Sequence, residues 1–79
     1  MYFVYILRSL NYDQTYTGFT KNIETRLKQH NEGKSPHTSK YKPWNLVTYV
    51  TFNSEVRARE FEKYLKSGSG IAFSRKHLL

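Results

Sequence analysis

The stretch Tyr2-Phe3-Val4-Tyr5-Ile6-Leu7 decides the fold of this 79-residue chain. Its aromatic and aliphatic side chains follow one another with no polar residue between them, so both faces of a strand built from them are apolar. Such a strand is typical of the centre of a sheet that is covered on both sides. We therefore expect a central strand here, with other elements packed above and below it.

A second strand is expected over residues 15–19, after a turn cluster at Asn11-Tyr12-Asp13. An antiparallel hairpin centred between Leu10 and Asn11 would place Tyr16 directly opposite Tyr5. Side chains opposite each other on one face lie close enough to interact. The pattern therefore predicts two tyrosine rings side by side on one face of the sheet.

The remaining elements are predicted from helix caps, helix stops and one further apolar run. Thr20 is the expected N-cap of a helix, Gly33 its stop, and Asn53 or Ser54 the cap of a second helix. These elements are a helix at about 21–31, a strand at 45–52, a helix ending near Lys66, and a short terminal helix or coil at 71–78. The glycine-rich Ser67-Gly68-Ser69-Gly70 separates the last two.

This order, β-β-α-β-α-α, indicates an α/β (α+β) fold: a three-stranded antiparallel sheet flanked by helices. The length allows one domain, residues 1–79. We expect the terminal segment to pack Ile71, Phe73 and Leu78 onto the core.

The charge balance narrows the classes of partner. There are 13 Lys and Arg against 6 Asp and Glu, a net charge of +7, which suits a polyanion: nucleic acid first and an anionic membrane surface second. The absence of cysteine excludes a disulfide, a thiolate metal site and a cysteine nucleophile. The longest apolar run is too short for a membrane span or a signal-peptide core, so we expect a soluble cytoplasmic protein.

One carboxylate occupies an unusual position on the second predicted helix. Ala58, Phe61 and Leu65 follow an i, i+3, i+7 pattern, and the missing i+4 position is Glu62. One interpretation is a surface ion pair with Lys66, four residues later. The other is a metal ligand, provided that further polar groups converge on it.

Four such groups are candidates. Tyr5 and Tyr16 are expected on one face of the sheet. Arg26 and His30 share a face of the first helix just beside its apolar stripe, which places both at the rim of the core. One carboxylate, with water and a substrate phosphate, is enough to hold Mg²⁺. An arginine beside it stabilises the extra negative charge of a pentavalent phosphate.

In this order the residues resemble a known family. Phe3-Val4-Tyr5, Tyr16-Thr17-Gly18, Arg26 and His30 on a helix, and Glu62 within Glu-Lys-Tyr-Leu-Lys are similar to the GIY-YIG nuclease domain. The resemblance covers nearly the whole chain. It is strongest to small stand-alone bacterial members related to the amino-terminal nuclease domain of the bacterial excinuclease.

The resemblance implies a phosphodiesterase that uses one metal ion. It implies that Tyr5 is the general base or the group that orients water, and that Tyr16 is its partner and the alternative base. It further implies that Arg26 contacts the scissile phosphate and that His30 assists proton transfer. Glu62 would be the one protein ligand of Mg²⁺ or Mn²⁺.

The chain departs from the family pattern at three positions. The first triplet has Phe3 for glycine, the second has Thr17 for isoleucine, and both keep the tyrosine. Where the excinuclease branch has a lysine after the second glycine, this chain has Phe19, and Lys21 is two residues away. The resemblance therefore leaves the task of that lysine to His30.

Basic side chains around the predicted site are candidate DNA contacts. Lysines that alternate with aromatic residues suit contact with a phosphate backbone. The candidates are Lys34, His37, Lys40, Lys42 and Lys66. The alternative is a solvated charged loop, with Trp44 packed on the core.

Three functions remain open on the sequence. The first is a metal-dependent DNA endonuclease that selects DNA structure, with a role in repair or recombination, and a larger protein could supply its specificity. The second is a nucleic-acid-binding module of the same fold without turnover. The third is a docking domain for an acidic protein. The intact set of reactive residues favours the endonuclease.

Overall fold

The computed structural model describes residues 1–79 and has the predicted order of elements. The strands are β1 (Tyr2–Ser9), β2 (Thr15–Thr20) and β3 (Trp44–Phe52), and the helices are α1 (Ile23–Asn31), α2 (Glu55–Leu65) and α3 (Gly68–His77). The sheet is antiparallel with strand order β2-β1-β3, so β1 is central. The predicted α+β architecture is confirmed. None of the helices is long and apolar enough to cross a membrane.

The alternation along β1 divides the core into two layers. Val4 and Ile6 lie on the face covered by α2 and α3, and they pack with Ala58 and Leu65. Tyr5 and Leu7 lie on the other face, where they pack with Trp44 and with partly buried side chains that include Leu27 of α1. Both faces of the central strand are therefore covered, as the uninterrupted apolar run predicts.

The predicted hairpin register is wrong by two residues. Tyr5 lies opposite Gly18, and Tyr16 lies opposite Leu7. The loop closes later than expected because the Ser9 amide donates to the Gln14 carbonyl at 2.9 Å, and Ser9 Oγ accepts the two following loop amides, those of residues 11 and 12. A shift of two preserves the face on which each side chain lies, so both tyrosines still share a face.

Helix α1 begins two residues later than predicted. Asn22, not Thr20, is its N-cap, and its Oδ1 accepts the Thr25 amide at 3.0 Å. Thr20 Oγ1 instead hydrogen-bonds the backbone of Asn22. Gly33 follows the helix with φ of +78°, a conformation that glycine adopts without a steric penalty, so the predicted stop is confirmed.

The terminal helix differs from the prediction. Ser67 is the N-cap of α3, so the glycine-rich segment forms its first turn and not only a break after α2. A Cβ at Gly70 would lie 1.8 Å from the Tyr64 carbonyl oxygen, so only glycine allows the helices to approach this closely. Phe73 and Leu78 pack on the core as expected, but Ile71 is 44% exposed because it lies on the outer face of α3.

The segment between α1 and β3 is anchored to the domain at three buried side chains. Ser35, Thr38 and Trp44 are each less than 5% exposed. Asn31 clamps the end of this segment, because its Oδ1 accepts the Trp44 amide and its Nδ2 donates to the Trp44 carbonyl. The alternative that placed Trp44 on the core is therefore correct.

Candidate active site

Tyr5 and His30 form the centre of the candidate site. The Tyr5 hydroxyl lies 2.8 Å from His30 Nε2, and both side chains are almost completely buried, at 2% and 0% exposure. The prediction that His30 lies at the rim of the core is therefore wrong. The anchored segment covers its outer side, because His30 Nδ1 lies 2.6 Å from Thr38 Oγ1.

Burial keeps both groups of this pair neutral. It raises the pKa of Tyr5 to about 12, although the Arg26 guanidinium beside the phenol acts in the opposite direction. Burial also lowers the pKa of His30 to about 4, and the positive charge of Arg26 lowers it further. At neutral pH the pair is therefore a phenol hydrogen-bonded to an uncharged imidazole.

Tyr16 lies beside this pair on the same face of the sheet. Its ring centroid is 6.3 Å from that of Tyr5 and 5.1 Å from that of His30. The predicted neighbouring tyrosine rings are therefore present, in a diagonal arrangement across the strands and not directly opposite. Tyr16 is half-buried, so its ring forms one wall of the site.

Arg26 reaches the same place from α1. Its Nη1 donates to Gln29 Oε1 at 3.0 Å, and its side chain is half-buried at the rim of the core, as predicted. Its charge acts on both Tyr5 and His30, so the guanidinium lies within electrostatic reach of both. It is positioned to meet an anion that approaches the phenol.

Glu62 approaches from α2, on the other side of β2. Its carboxylate is 20% exposed and its Oε2 lies 3.0 Å from the Lys66 ammonium, which in turn lies 5.8 Å from the centroid of the Tyr16 ring. The negative charge of Glu62 also contributes to the high pKa of Tyr5. The surface ion pair anticipated from the i, i+4 spacing is thus present, and it lies at the candidate site.

The donor set around Glu62 fits one kind of metal ion. No group of three or more His, Asp and Glu side chains in the chain is arranged to hold a metal. A zinc or calcium site built from protein ligands alone therefore does not fit. Mg²⁺ and Mn²⁺ accept a single carboxylate with water and a phosphate oxygen, and this set does fit.

The predicted DNA contacts divide into two groups. Lys66 lies beside the carboxylate and Tyr16. The other four lie on the surface between α1 and β3, where Lys34 pairs with Glu32 at 3.3 Å and Lys40 lies 5.6 Å from the Tyr41 ring centroid. The four are Lys34, His37, Lys40 and Lys42.

Comparison with known proteins assigns this arrangement to a family. The model of the GIY-YIG catalytic domain matches residues 1–71. The chain belongs to the GIY-YIG family. Its catalytic-domain class is that of nucleases.

The GIY-YIG relatives are of two kinds. The UPF0213 protein of Clostridium perfringens is 37% identical over 67 residues, which is 84% of this chain and 71% of that protein. Homologues of structure-specific endonuclease subunit SLX1 are 43% identical over 51 residues in Giardia intestinalis and 39% over 71 in Drosophila mojavensis. The matches cover 60% and 77% of this chain, but only 14% and 23% of those longer proteins.

A solved GIY-YIG relative has the same fold. The solution NMR structure of a UPF0213 protein from Bacillus halodurans superposes with a TM-score of 0.57 at 29% sequence identity. The alignment covers 95% of this chain and 82% of that one. The arrangement of three strands and three helices is therefore shared with the small bacterial branch.

The position of the missing GIY-YIG lysine is filled in another way. Phe19 lies under the guanidinium of Arg59, at 4.1 Å from its Cζ atom to the ring centroid. Lys21 lies 5.7 Å from the centroid of Tyr2, on the face of the sheet away from Tyr5. Neither basic group contacts the Tyr5–His30 pair.

Sequence reasoning missed one residue that contacts this pair. Thr38 is fully buried and hydrogen-bonds His30, yet it lies in a polar, lysine-rich segment whose composition is typical of a solvated loop. The one local signal was the pair of prolines that bound the segment, Pro36 and Pro43, which restrict the backbone without specifying a contact.

Proposed function

We propose that this protein is a metal-dependent DNA endonuclease that hydrolyses a phosphodiester bond with one Mg²⁺ or Mn²⁺ ion. The observation that supports it most directly is the buried hydrogen bond from Tyr5 to His30, next to Arg26 and Tyr16, with Glu62 facing the same place. A hydrolase of phosphodiesters needs a proton acceptor, a cation for the phosphate and a carboxylate for the metal. These residues provide all three.

The hydrogen-bonded pair suggests how water is activated. The Tyr5 oxygen accepts a proton from the attacking water while its own hydrogen passes to His30 Nε2. The pKa values of about 12 and about 4 lie far apart, so a complete transfer in the free protein costs on the order of 10 kcal/mol. The transfer is therefore coupled to the attack on phosphorus, and no separate tyrosinate forms.

The other residues act on the phosphate. Arg26 donates to its non-bridging oxygens and stabilises the charge that builds up on them. A phosphate bound there also offsets the positive charge that lowers the pKa of His30, which makes the imidazole a better acceptor. A metal ion held by Glu62 supplies Lewis-acid polarisation of the phosphate. The bond to the leaving oxygen breaks, and that oxygen takes a proton from solvent.

The substrate is DNA in which structure, more than sequence, is recognised. The net charge of +7 supports a nucleic-acid substrate. The Giardia and Drosophila relatives are named as subunits of structure-specific endonucleases, which supports branched DNA, a larger partner protein, and a role in repair or recombination. The basic segment at residues 34–42 supports contact with the backbone outside the cleaved bond.

The deciding experiment is a cleavage panel of branched, nicked, single-stranded and duplex DNA with Mg²⁺ or Mn²⁺. Glu62→Gln should abolish cleavage and leave DNA affinity nearly unchanged. Glu60→Gln, which changes an exposed carboxylate on the same helix, is the matched control and should cleave like the wild type. Salt-sensitive binding without cleavage by any variant would favour the non-catalytic binding module.

A further inference from the structure

Three polar side chains and one carbonyl form a continuous buried chain of hydrogen bonds. Tyr5 Oη lies 2.8 Å from His30 Nε2, His30 Nδ1 lies 2.6 Å from Thr38 Oγ1, and Thr38 Oγ1 donates to the Ser35 carbonyl at 3.4 Å. Every member of this chain is at most 4% exposed. In such a place each polar hydrogen must find an acceptor inside the protein.

Counting hydrogens gives the chain of hydrogen bonds a direction. A neutral imidazole has one N–H and one acceptor nitrogen, and each hydroxyl has one hydrogen. If Tyr5 donates to Nε2, the imidazole hydrogen is on Nδ1 and points to Thr38. The Thr38 hydrogen then points to the Ser35 carbonyl. Every hydrogen has an acceptor, and none remains unpaired.

The opposite direction leaves one hydrogen without a partner. Thr38 would donate to Nδ1, and Nε2–H would donate to the Tyr5 oxygen. The Tyr5 hydrogen would then need a second acceptor, and the phenol makes no hydrogen bond to any other acceptor in the protein. Its polar neighbour Arg26 carries donors only. An unpaired hydroxyl hydrogen at 2% exposure is costly, so this direction is disfavoured.

We infer that Thr38 is a positioning residue that holds His30 in the tautomer with hydrogen on Nδ1, so that Nε2 is free to accept the Tyr5 proton. This rests on the proposed hydrolysis, in which Tyr5 passes its hydrogen to His30. Thr38 contacts neither the phosphate nor the water. It acts only through the imidazole, much as the third member of a hydrolytic triad sets the tautomer of its histidine.

The backbone around Thr38 keeps its hydroxyl in place. Its carbonyl accepts the Trp44 indole N–H at 2.9 Å and the Tyr41 amide at 3.1 Å, and its own amide donates to Ser35 at 3.2 Å. Trp44 is itself clamped by Asn31 at the end of α1. The residue is thus fixed by contacts at both ends of the segment.

Two substitutions test this assignment. Thr38→Val has nearly the same shape without the hydroxyl, and Thr38→Ser keeps the hydroxyl. Nitrogen-15 NMR of the His30 ring at neutral pH distinguishes the two tautomers because the protonated and bare nitrogens resonate far apart. We expect hydrogen on Nδ1 in the wild type and in Thr38→Ser, and its loss from Nδ1 in Thr38→Val. For cleavage we expect kcat to fall about 10- to 100-fold in Thr38→Val with KM unchanged, and Thr38→Ser to restore it.

The spectra and the kinetics separate this inference from the proposed function. Hydrogen on Nε2 in the wild type would overturn the inference, as would an unchanged tautomer in a folded Thr38→Val. An equal loss of kcat in both variants would also overturn it, since a packing role predicts that pattern. If the spectra follow expectation but no variant cleaves DNA, the tautomer assignment stands and the hydrolysis is refuted.

Discussion

Tyr5 lies directly across the antiparallel ladder from Gly18, and its phenol occupies the space that a side chain at position 18 would need. A Cβ at Gly18 would lie 2.4 Å from the Tyr5 hydroxyl oxygen and 2.9 Å from Cε2 of Tyr16. The backbone at Gly18 needs no positive φ, so the glycine is required by this contact and not by its conformation. The glycine of the second triplet is what allows the first tyrosine to reach His30.

Gly18→Ala should therefore damage both stability and cleavage. The methyl group displaces the Tyr5 ring, and overpacking of this kind costs about 1–3 kcal/mol in the free energy of unfolding. Displacement of the hydroxyl also breaks its bond to His30. Urea denaturation and cleavage assays measure the two effects.

The matched control is Gly68→Ala at the start of α3. A Cβ at Gly68 meets no atom within 4 Å, and alanine is the better helix former. This variant should be as stable as the wild type or slightly more so. Equal stability of the two alanine variants would contradict the contact described for Gly18.

Tyr5→Phe and Tyr16→Phe should separate the roles of the two phenols. Tyr5→Phe removes the group bonded to His30, so kcat should fall about 10²- to 10⁴-fold. Tyr16 makes no hydrogen bond to His30 or Tyr5, so Tyr16→Phe should reduce kcat less. A larger loss in Tyr16→Phe would make Tyr16 the general base.

The stability of the protein should depend on pH through His30. Its folded pKa of about 4 is below the ordinary value near 6.5, so between these values the unfolded chain binds a proton that the folded protein does not. The free energy of unfolding should therefore be highest above pH 6.5 and fall by about 3 kcal/mol as the pH drops to 4. Urea denaturation between pH 4 and pH 8 measures this slope.

The histidine responsible can be identified by substitution. His30→Gln should be less stable at pH 7 because two buried hydrogen bonds change, yet its slope between pH 4 and 6.5 should be flatter. His37 is exposed, so His37→Gln should keep the slope of the wild type. A wild-type slope in His30→Gln would show that another group titrates.

Lys66→Ala should strengthen the binding of Mg²⁺ or Mn²⁺. The ammonium lies 3.0 Å from Glu62 Oε2 and competes with any cation for that carboxylate. Calorimetric titration of the protein without DNA should show a several-fold tighter metal affinity. Lys63→Ala removes an exposed lysine of the same helix that has no ion pair, and its affinity should stay at the wild-type value.

The amphipathic pattern is sufficient to predict the elements, because burial of an apolar face imposes a period on the sequence. The run from Tyr2 to Leu7 predicts a strand covered on both faces, and the gap at Glu62 places a carboxylate against the core side of a helix. The hairpin register was wrong because the Ser9 hydroxyl and amide close the loop, and side-chain bonds within a loop leave no periodic trace.

The sequence by itself determined the order of strands and helices, the faces on which the two tyrosines lie, and the excess of positive charge. Those features follow from local periodicity and composition. Only the tertiary structure decided that His30 is buried neutral and that Thr38 meets its second nitrogen. Both depend on the segment before β3 folding back over α1, a contact between residues eight apart that is held by Trp44 and Asn31. Contacts across a non-repeating segment depend on which side chains fill the remaining space, and no period in the sequence encodes that.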